Sequence, residues 1–169
     1  MCGRRVGSRS SNDGRLRAPG TRRGATVVAQ PDARCGAAVV QAPDASGGTF
    51  DSSSATGHLL VIDFFAAYCR PCQRKLPELE ALHRQRPELS IVGVSLDDSR
   101  DAAWKSVARH HLTFPVVHDS NNVLAGRLRV TELPVSFVVD GQGKIRWVGG
   151  PDQPEDALAR VVAALTSSP

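Results

Sequence analysis

The feature that most limits what this chain can fold into is the junction from Leu59 to Leu82. A nearly continuous apolar run, Leu59 to Phe65, leads into the tetrad Cys69-Arg70-Pro71-Cys72, and leucines at 76, 79 and 82 then take up helical spacing. Such a run suits a central strand buried on both faces, and the leucine stripe suits a helix packed on it. Two cysteines three apart at a helix start share one turn. They are close enough to form a disulfide, Cys69–Cys72, and to reopen it without moving the backbone. The first sulfur faces the helix's free N–H groups and the positive end of its dipole, which stabilise a thiolate more than a thiol. Cys69 is therefore expected to titrate below an ordinary cysteine and act as nucleophile, with Cys72 as the resolving thiol. Pro71 fits the first helical turn, where a missing N–H costs nothing. Arg70 adds a cation worth about 0.7 to 3 kcal/mol to a thiolate about 6 Å away.

Two other readings compete for the tetrad. Half of a structural zinc site would need two more ligands, and neither Cys2 nor Cys35 belongs to a second pair, while nothing in the spacing of His58 and His83 demands a metal. A pair of inert buried thiols would leave the preceding strand and the internal proline unexplained. No metal and no cofactor is expected.

Asp63 interrupts the apolar run. An unpaired buried carboxylate costs several kcal/mol, and desolvation raises its pKa. Six residues before Cys69, on the strand that delivers the tetrad, Asp63 is expected to lie beneath the disulfide and exchange a proton with Cys72. The competing reading turns it to water at a sheet edge.

Charge divides the chain. Residues 1 to 34 hold eight Arg against Asp13 and Asp32, leaving 13 basic and 15 acidic residues beyond. The net charge of +4 thus belongs to the tail and gives no nucleic-acid surface. Residues 1–41 read as a disordered basic tail, a targeting segment or a start-site artefact, and residues 42–169 as the folded domain. No secretory signal and no membrane-spanning stretch is visible. A cytoplasmic or organellar location is the default expectation.

Ala42-Pro43-Asp44 and the Gly/Ser-rich run to Gly57 read as an entry loop with a short edge strand at Thr49 to Asp51. Strands are expected at Leu89 to Leu96 and Phe114 to Val117, and a hairpin at Leu133 to Val139 and Lys144 to Val148. Pro77 is expected to kink the first helix. Asp97-Asp98-Ser99 offers a cap to a helix running to about His111, with Trp104, Val107 and Ala108 on its buried side. Val123 to Leu128 forms one or two turns, and Ala157, Leu158, Val161, Val162 and Leu165 give a last helix its apolar face. His110 and His111 read as solvated surface. Alternating strand and helix, then a hairpin and a helix, give an α/β sandwich around a mixed sheet.

The segments VIDFFAAYCRPC, LTFPVVHDSNNVLAGRLRV and ELPVSFVVDGQGKI, with Pro77, resemble the thioredoxin superfamily, and within it the TlpA/ResA-like thiol-disulfide oxidoreductases of the redoxin group, related to AhpC/TSA proteins. The likeness runs from about Ala42 to Leu165. It implies a thioredoxin-like fold, a central mixed β-sheet flanked by helices, with the TlpA/peroxiredoxin-type insertion between Asp97 and Pro134. It also implies exchange of electrons with a disulfide-containing protein substrate and a thiol/disulfide donor, in a family that is often extracytoplasmic; a monomer is expected. Carried over by position, Cys69 attacks, Cys72 resolves, Pro134 is the cis-proline facing the disulfide, and Leu133 pairs with the substrate backbone. Asp63 falls where thioredoxins keep a buried acid and many TlpA-like proteins have Asn. Tyr68 replaces the usual Trp as a flat apolar contact at the rim, beside Arg70 and Pro71 on the substrate side. Lys75 replaces a Glu and, with Arg70, is expected to make the surface near the disulfide more positive, opposed by Glu132. Two rivals remain. A peroxiredoxin-like peroxidase shares the insertion but lacks Thr and Pro before the cysteine, where Ala66-Ala67-Tyr68 stand. A thiol-based partner- or copper-binding module would call on His118.

Overall fold

The structure is a computed structural model, and it describes residues 41–44, 48–55 and 57–167. All of the expected tail except Gln41, and with it Cys2 and Cys35, lies outside the described residues. Gln41–Pro43 (β1) and Thr49–Asp51 (β2) form an antiparallel pair, followed by a 3-10 turn at Ser52–Ala55. The expected entry loop is thus more regular than its glycines and serines suggest. Asp44 closes its turn, accepting from the Gly48 N–H at 2.9 Å.

Five strands make the main sheet: Leu60–Phe65 (β3), Ser90–Ser95 (β4), Val116–His118 (β5), Val135–Val139 (β6) and Ile145–Gly149 (β7), in the order β5-β4-β3-β6-β7. β3, β4 and β5 run parallel, and β6 and β7 are added antiparallel. The helices are Arg70–Gln85 (α1), Arg100–His110 (α2), Val123–Arg127 (α3) and Ala157–Thr166 (α4). Every residue of β3 is buried, as expected for a central strand covered on both sides. Strand periodicity then sorts the core. Val61 and Phe65 pack with Leu76 and Leu79 of α1 and with Leu158 and Val162 of α4. Leu60, Ile62 and Phe64 pack with Phe50, Val94 and Phe137 on the other face. Asp63 shares the alternation of Val61 and Phe65, which directs it toward α1.

The helices have these limits and inward faces. α1 contains Pro77, as expected, and extends to Gln85. Ser99, whose hydroxyl accepts from the Ala102 N–H at 3.2 Å, is the residue that caps α2. Ala103 and Ser106 are the buried residues of α2, with Trp104 and Val107 partly buried and Ala108 exposed. Helical phase decides this, since a rotation of about 100° moves the inward face by a single position. No helix among the described residues is long and apolar enough to cross a membrane.

Candidate active site

β3 ends at Phe65, and the next four residues are pinned before α1 begins. The Leu96 N–H donates to the Phe65 carbonyl at 2.9 Å, and the Ala67 N–H to Asp97 Oδ1 at 2.8 Å. Asp97 is buried and is itself held by the Ser95 hydroxyl at 2.8 Å. The Cys69 N–H and the Gln73 side-chain amide both donate to the Ala66 carbonyl, at 3.1 and 3.0 Å. With its NH2 committed there, Gln73 turns its Oε1 to His110, whose Nε2–H donates at 2.8 Å. Burial, followed by the neighbouring Arg109 and His111 charges, holds the His110 imidazole below its usual range, so this bond is made by a neutral ring. Neither Asp97 nor His110 was expected to act here; only the fold brings α2 and the end of β4 against this loop.

Cys69 is the N-cap of α1, and its sulfur accepts from the Cys72 N–H at 3.2 Å. The two cysteines are joined as a disulfide with Cα atoms 5.2 Å apart. Cys69 retains 8% of its surface and Cys72 only 1%, so an incoming group meets Cys69 first. The Leu133–Pro134 peptide bond is cis, and Pro134 lines the same groove as Pro71. Leu133 is half-buried against both core clusters, and its backbone N–H and C=O take no hydrogen-bond partner among the described residues. Tyr68 stands 75% exposed at the rim, where Arg70 and Pro71 are exposed too.

Asp63 corrects two expectations together. It is 1% exposed, as an acid in a central strand must be, and it is not unpaired: Lys75 Nζ lies 2.7 Å from its Oδ1. The Ser136 hydroxyl donates to the same oxygen at 2.6 Å, and the Lys75 ammonium donates to Ser136 Oγ as well. The desolvation of the carboxylate is offset by a cation and a hydroxyl. Lys75 therefore does not add to the positive surface beside Arg70; its charge is turned inward. Ser136 sits directly opposite Asp63 in the β3–β6 register, and its signal in the sequence was a hydroxyl in the otherwise apolar run VSFVV.

A groove of about 240 Å³ opens on the Pro71 and Pro134 side of the disulfide, with Lys75, Trp147, Gly149 and Gly150 among its walls. Trp147 lies over Gly149: a Cβ there would come 2.0 Å from the indole ring. No group of three or more His, Cys, Asp or Glu side chains comes together to hold a metal among the described residues. His118 Nε2 is engaged with the Asp97 carbonyl at 2.7 Å.

The AhpC/TSA family's sequence profile matches residues 35–148. The chain belongs to the AhpC/TSA family. Within it the chain is of the TlpA/ResA-like kind. The thiol-disulfide oxidoreductase ResA of Oceanobacillus iheyensis is 28% identical over 102 residues, 59% of this chain and 53% of that protein. The chain thus spans little more than half the length of such relatives. A secreted Mycobacterium tuberculosis disulfide oxidoreductase homologous to E. coli DsbE superposes with a TM-score of 0.67 at 26% identity, over 74% of this chain and 95% of that one. MTB dsbF, solved in mixed oxidized and reduced forms, gives 0.69 at 28% identity, over 75% and 94%. The mixed five-stranded sheet with its helices is the thioredoxin-like fold.

Proposed function

We propose that this AhpC/TSA-family chain is a thiol-disulfide oxidoreductase that exchanges electrons with protein disulfides through Cys69 and Cys72. The observation that carries this reading is the graded pair of sulfurs at the start of α1: a partly exposed one capping the helix and a buried one a turn below. In the reductive direction the Cys69 thiolate attacks one sulfur of a substrate disulfide, and the other substrate sulfur leaves as a thiolate. Cys72 then gives its proton to Asp63 and attacks Cys69. The substrate's second sulfur departs, the Cys69–Cys72 disulfide forms, and two electrons have passed to the substrate. A thiol donor reverses the last step on the enzyme and restores the dithiol.

The groove beside Pro71 and Pro134 is where the substrate chain lies. Leu133 offers it an unpartnered backbone edge, in the manner of an added strand. Tyr68 and Arg70 meet it at the rim. Both sulfurs, the acid and the groove come from one chain, which supports a monomer as the working unit; sedimentation of a dimer that loses activity on dilution would argue otherwise.

The test is a redox titration against glutathione of the full chain with Cys2 and Cys35 changed to Ser. One two-electron transition, with insulin reduction that fails in Cys69→Ser, is expected. No transition, zinc retained by the tetrad, or peroxide consumed by Cys69 in place of disulfides would overturn the reading.

A further inference from the structure

The peptide unit between Ala66 and Ala67 is held at both of its polar atoms by residues outside the turn. Its N–H donates to Asp97 Oδ1 at 2.8 Å, which ties it to the end of β4. Its carbonyl accepts from the Cys69 N–H at 3.1 Å, closing the turn that delivers the first sulfur, and from the Gln73 side-chain amide at 3.0 Å. Gln73 follows Cys72 directly in α1, and its own N–H donates to the Cys69 carbonyl at 3.0 Å. The side-chain bond therefore closes a loop from Ala66 to Gln73 that contains both cysteines. The disulfide closes a shorter loop inside it.

Two neighbours decide how this amide is turned. The Ala66 carbonyl can only accept, so the NH2 group must face it. Oε1 then faces His110 Nε2 at 2.8 Å, and the imidazole must donate there. His110 is the last residue of α2, and His111, with a φ of 50°, ends the helix in the left-handed region. Gln73 and His110 are half-buried, and neither lines the groove beside Pro134. Two turns along α1 from Gln73, Glu80 also bonds to the segment after α2, through Thr113. That contact joins helix to segment only. The contact between His110 and Gln73 continues into the Cys69 turn.

We propose that Gln73 is a positioning residue of the exchange reaction and that His110 acts through it. The amide clamps the Cys69 turn to α1 and keeps the two sulfurs in closing geometry when no bond joins them. This rests on the oxidoreductase reading above and deepens it. The clamp and the disulfide close nested loops, so each lowers the entropy lost in forming the other. By reciprocity, a clamp that forms more readily over the closed disulfide also favours its closure. The step it serves is resolution of the mixed disulfide. There the Cys72 sulfur bonds to Cys69, the substrate's sulfur leaves with the electron pair of the bond that breaks, and the Cys72 proton is lost to base. Attack by Cys69 on an outside disulfide needs no register with Cys72 and does not depend on the clamp.

The test uses the full chain with Cys2 and Cys35 as Ser, equilibrated in mixtures of reduced and oxidised glutathione and quenched with acid. Mass spectrometry then resolves the dithiol, the Cys69–glutathione mixed disulfide and the closed disulfide. The ratio of closed to mixed form at known glutathione gives the effective concentration of Cys72. Gln73→Met should lower it about fivefold, the equilibrium equivalent of one ordinary hydrogen bond, and so raise the reduction potential by about 20 mV. The first exchange, from dithiol to mixed disulfide, should keep its parent constant. His110→Phe should lower the ratio too and add nothing in a Gln73→Met background, while His110→Gln, which keeps an N–H donor, should hold the parent ratio. Gln73→Ala gives the same test if Gln73→Met does not fold. An unchanged ratio in these Gln73 variants, with urea stability lowered equally in both redox forms or not at all, would overturn the proposal. A His110→Phe effect that persists in the Gln73→Met background would overturn the role of His110 alone. A parent that forms neither mixed nor closed disulfide would instead remove the exchange reading itself.

Discussion

Glu80 offers the most direct test of how α1 is anchored. It lies on the polar side of the expected stripe, yet it is only 6% exposed. Its Oε2 accepts from the Thr113 N–H at 2.8 Å, and its Oε1 from the Thr113 hydroxyl at 2.7 Å and from Arg84 Nε at 2.6 Å. This ties the helix that carries both cysteines to the segment entering β5. The Arg84 side chain is 60% exposed, so the ion pair contributes about 0.5 kcal/mol at most. Hydrogen bonds to a charged group are worth about 1.5 to 3 kcal/mol each, and the exposure of Thr113 places these two at the lower end. Glu80→Ala should therefore cost about 3 kcal/mol, a fall of about 6 to 12 °C in Tm. Burial alone would raise the Glu80 pKa, but the Thr113 hydrogen bonds and then Arg84 outweigh it and hold the group below its ordinary 4.5. A value depressed by folding means that the contribution is complete above the ordinary value and is lost as pH falls through the folded one. Glu80→Gln should thus flatten the acid side of a urea-stability profile below about pH 4.5. A loss under 1 kcal/mol for Glu80→Ala, or identical acid slopes for the parent and Glu80→Gln, would refute the anchoring argument.

Four further outcomes follow from the site. Helix capping by a thiolate sulfur and the end of the dipole together favour ionisation by about 2 to 4 kcal/mol, so the pH midpoint of Cys69 alkylation should lie about one to three units below that of a free thiol. A midpoint near 8.5 would reject the capping account. Arg70 is exposed, which places its effect near the bottom of the Coulomb range, about 0.7 kcal/mol; Arg70→Gly should lower the reduction potential by about 15 mV, and an unchanged value in a glutathione titration would remove Arg70 from the site. Gly149→Ala places a methyl group where the Trp147 ring now lies and should raise KM for a protein disulfide with kcat little changed; unchanged KM would mean that the groove does not take substrate. Asp97→Ala frees the Ala67 N–H and the Ser95 hydroxyl and should cost about 2 kcal/mol while slowing Cys69 attack; loss of stability with normal attack kinetics would limit Asp97 to the fold.

What could be read from the sequence was what the chain encodes within a few consecutive turns. The β3 run, the tetrad and the start of α1 are local, and the observed strand and helix begin within one residue of the expected junction. The hairpin of β6 and β7 follows from alternation around Asp140 to Gly143, and its strands begin and end within about two residues of expectation. Contacts decided by the packing of distant elements were not legible. Asp97 looked like part of a helix cap, and it instead braces a loop thirty residues earlier. His110 looked like surface, but the phase of α2 against α1 brings it to Gln73 across a separation of 37 residues.

Lys75 and Asp63 show why residue type alone misleads at such a site. Taken separately, each breaks a rule: a cation one turn below a reactive cysteine, and an acid in a buried strand. Read as separate departures, they predicted a more positive surface and a carboxylate driven toward neutrality by burial. Brought within 2.7 Å, they remove each other's anomaly, because the charge that burial penalises on Asp63 is the charge that Lys75 needs as partner. Neither residue then contributes its full charge to the outer field of the disulfide. That field is left to Arg70 and Arg74 and to the acids Glu78, Glu132 and Glu155. On the exchange reading proposed above, this mixed rim and the Trp147 groove are the surfaces that an incoming protein disulfide meets. Substitutions at the rim should therefore alter which disulfides are exchanged, read as the ratio of rates on two protein disulfides of opposite surface charge.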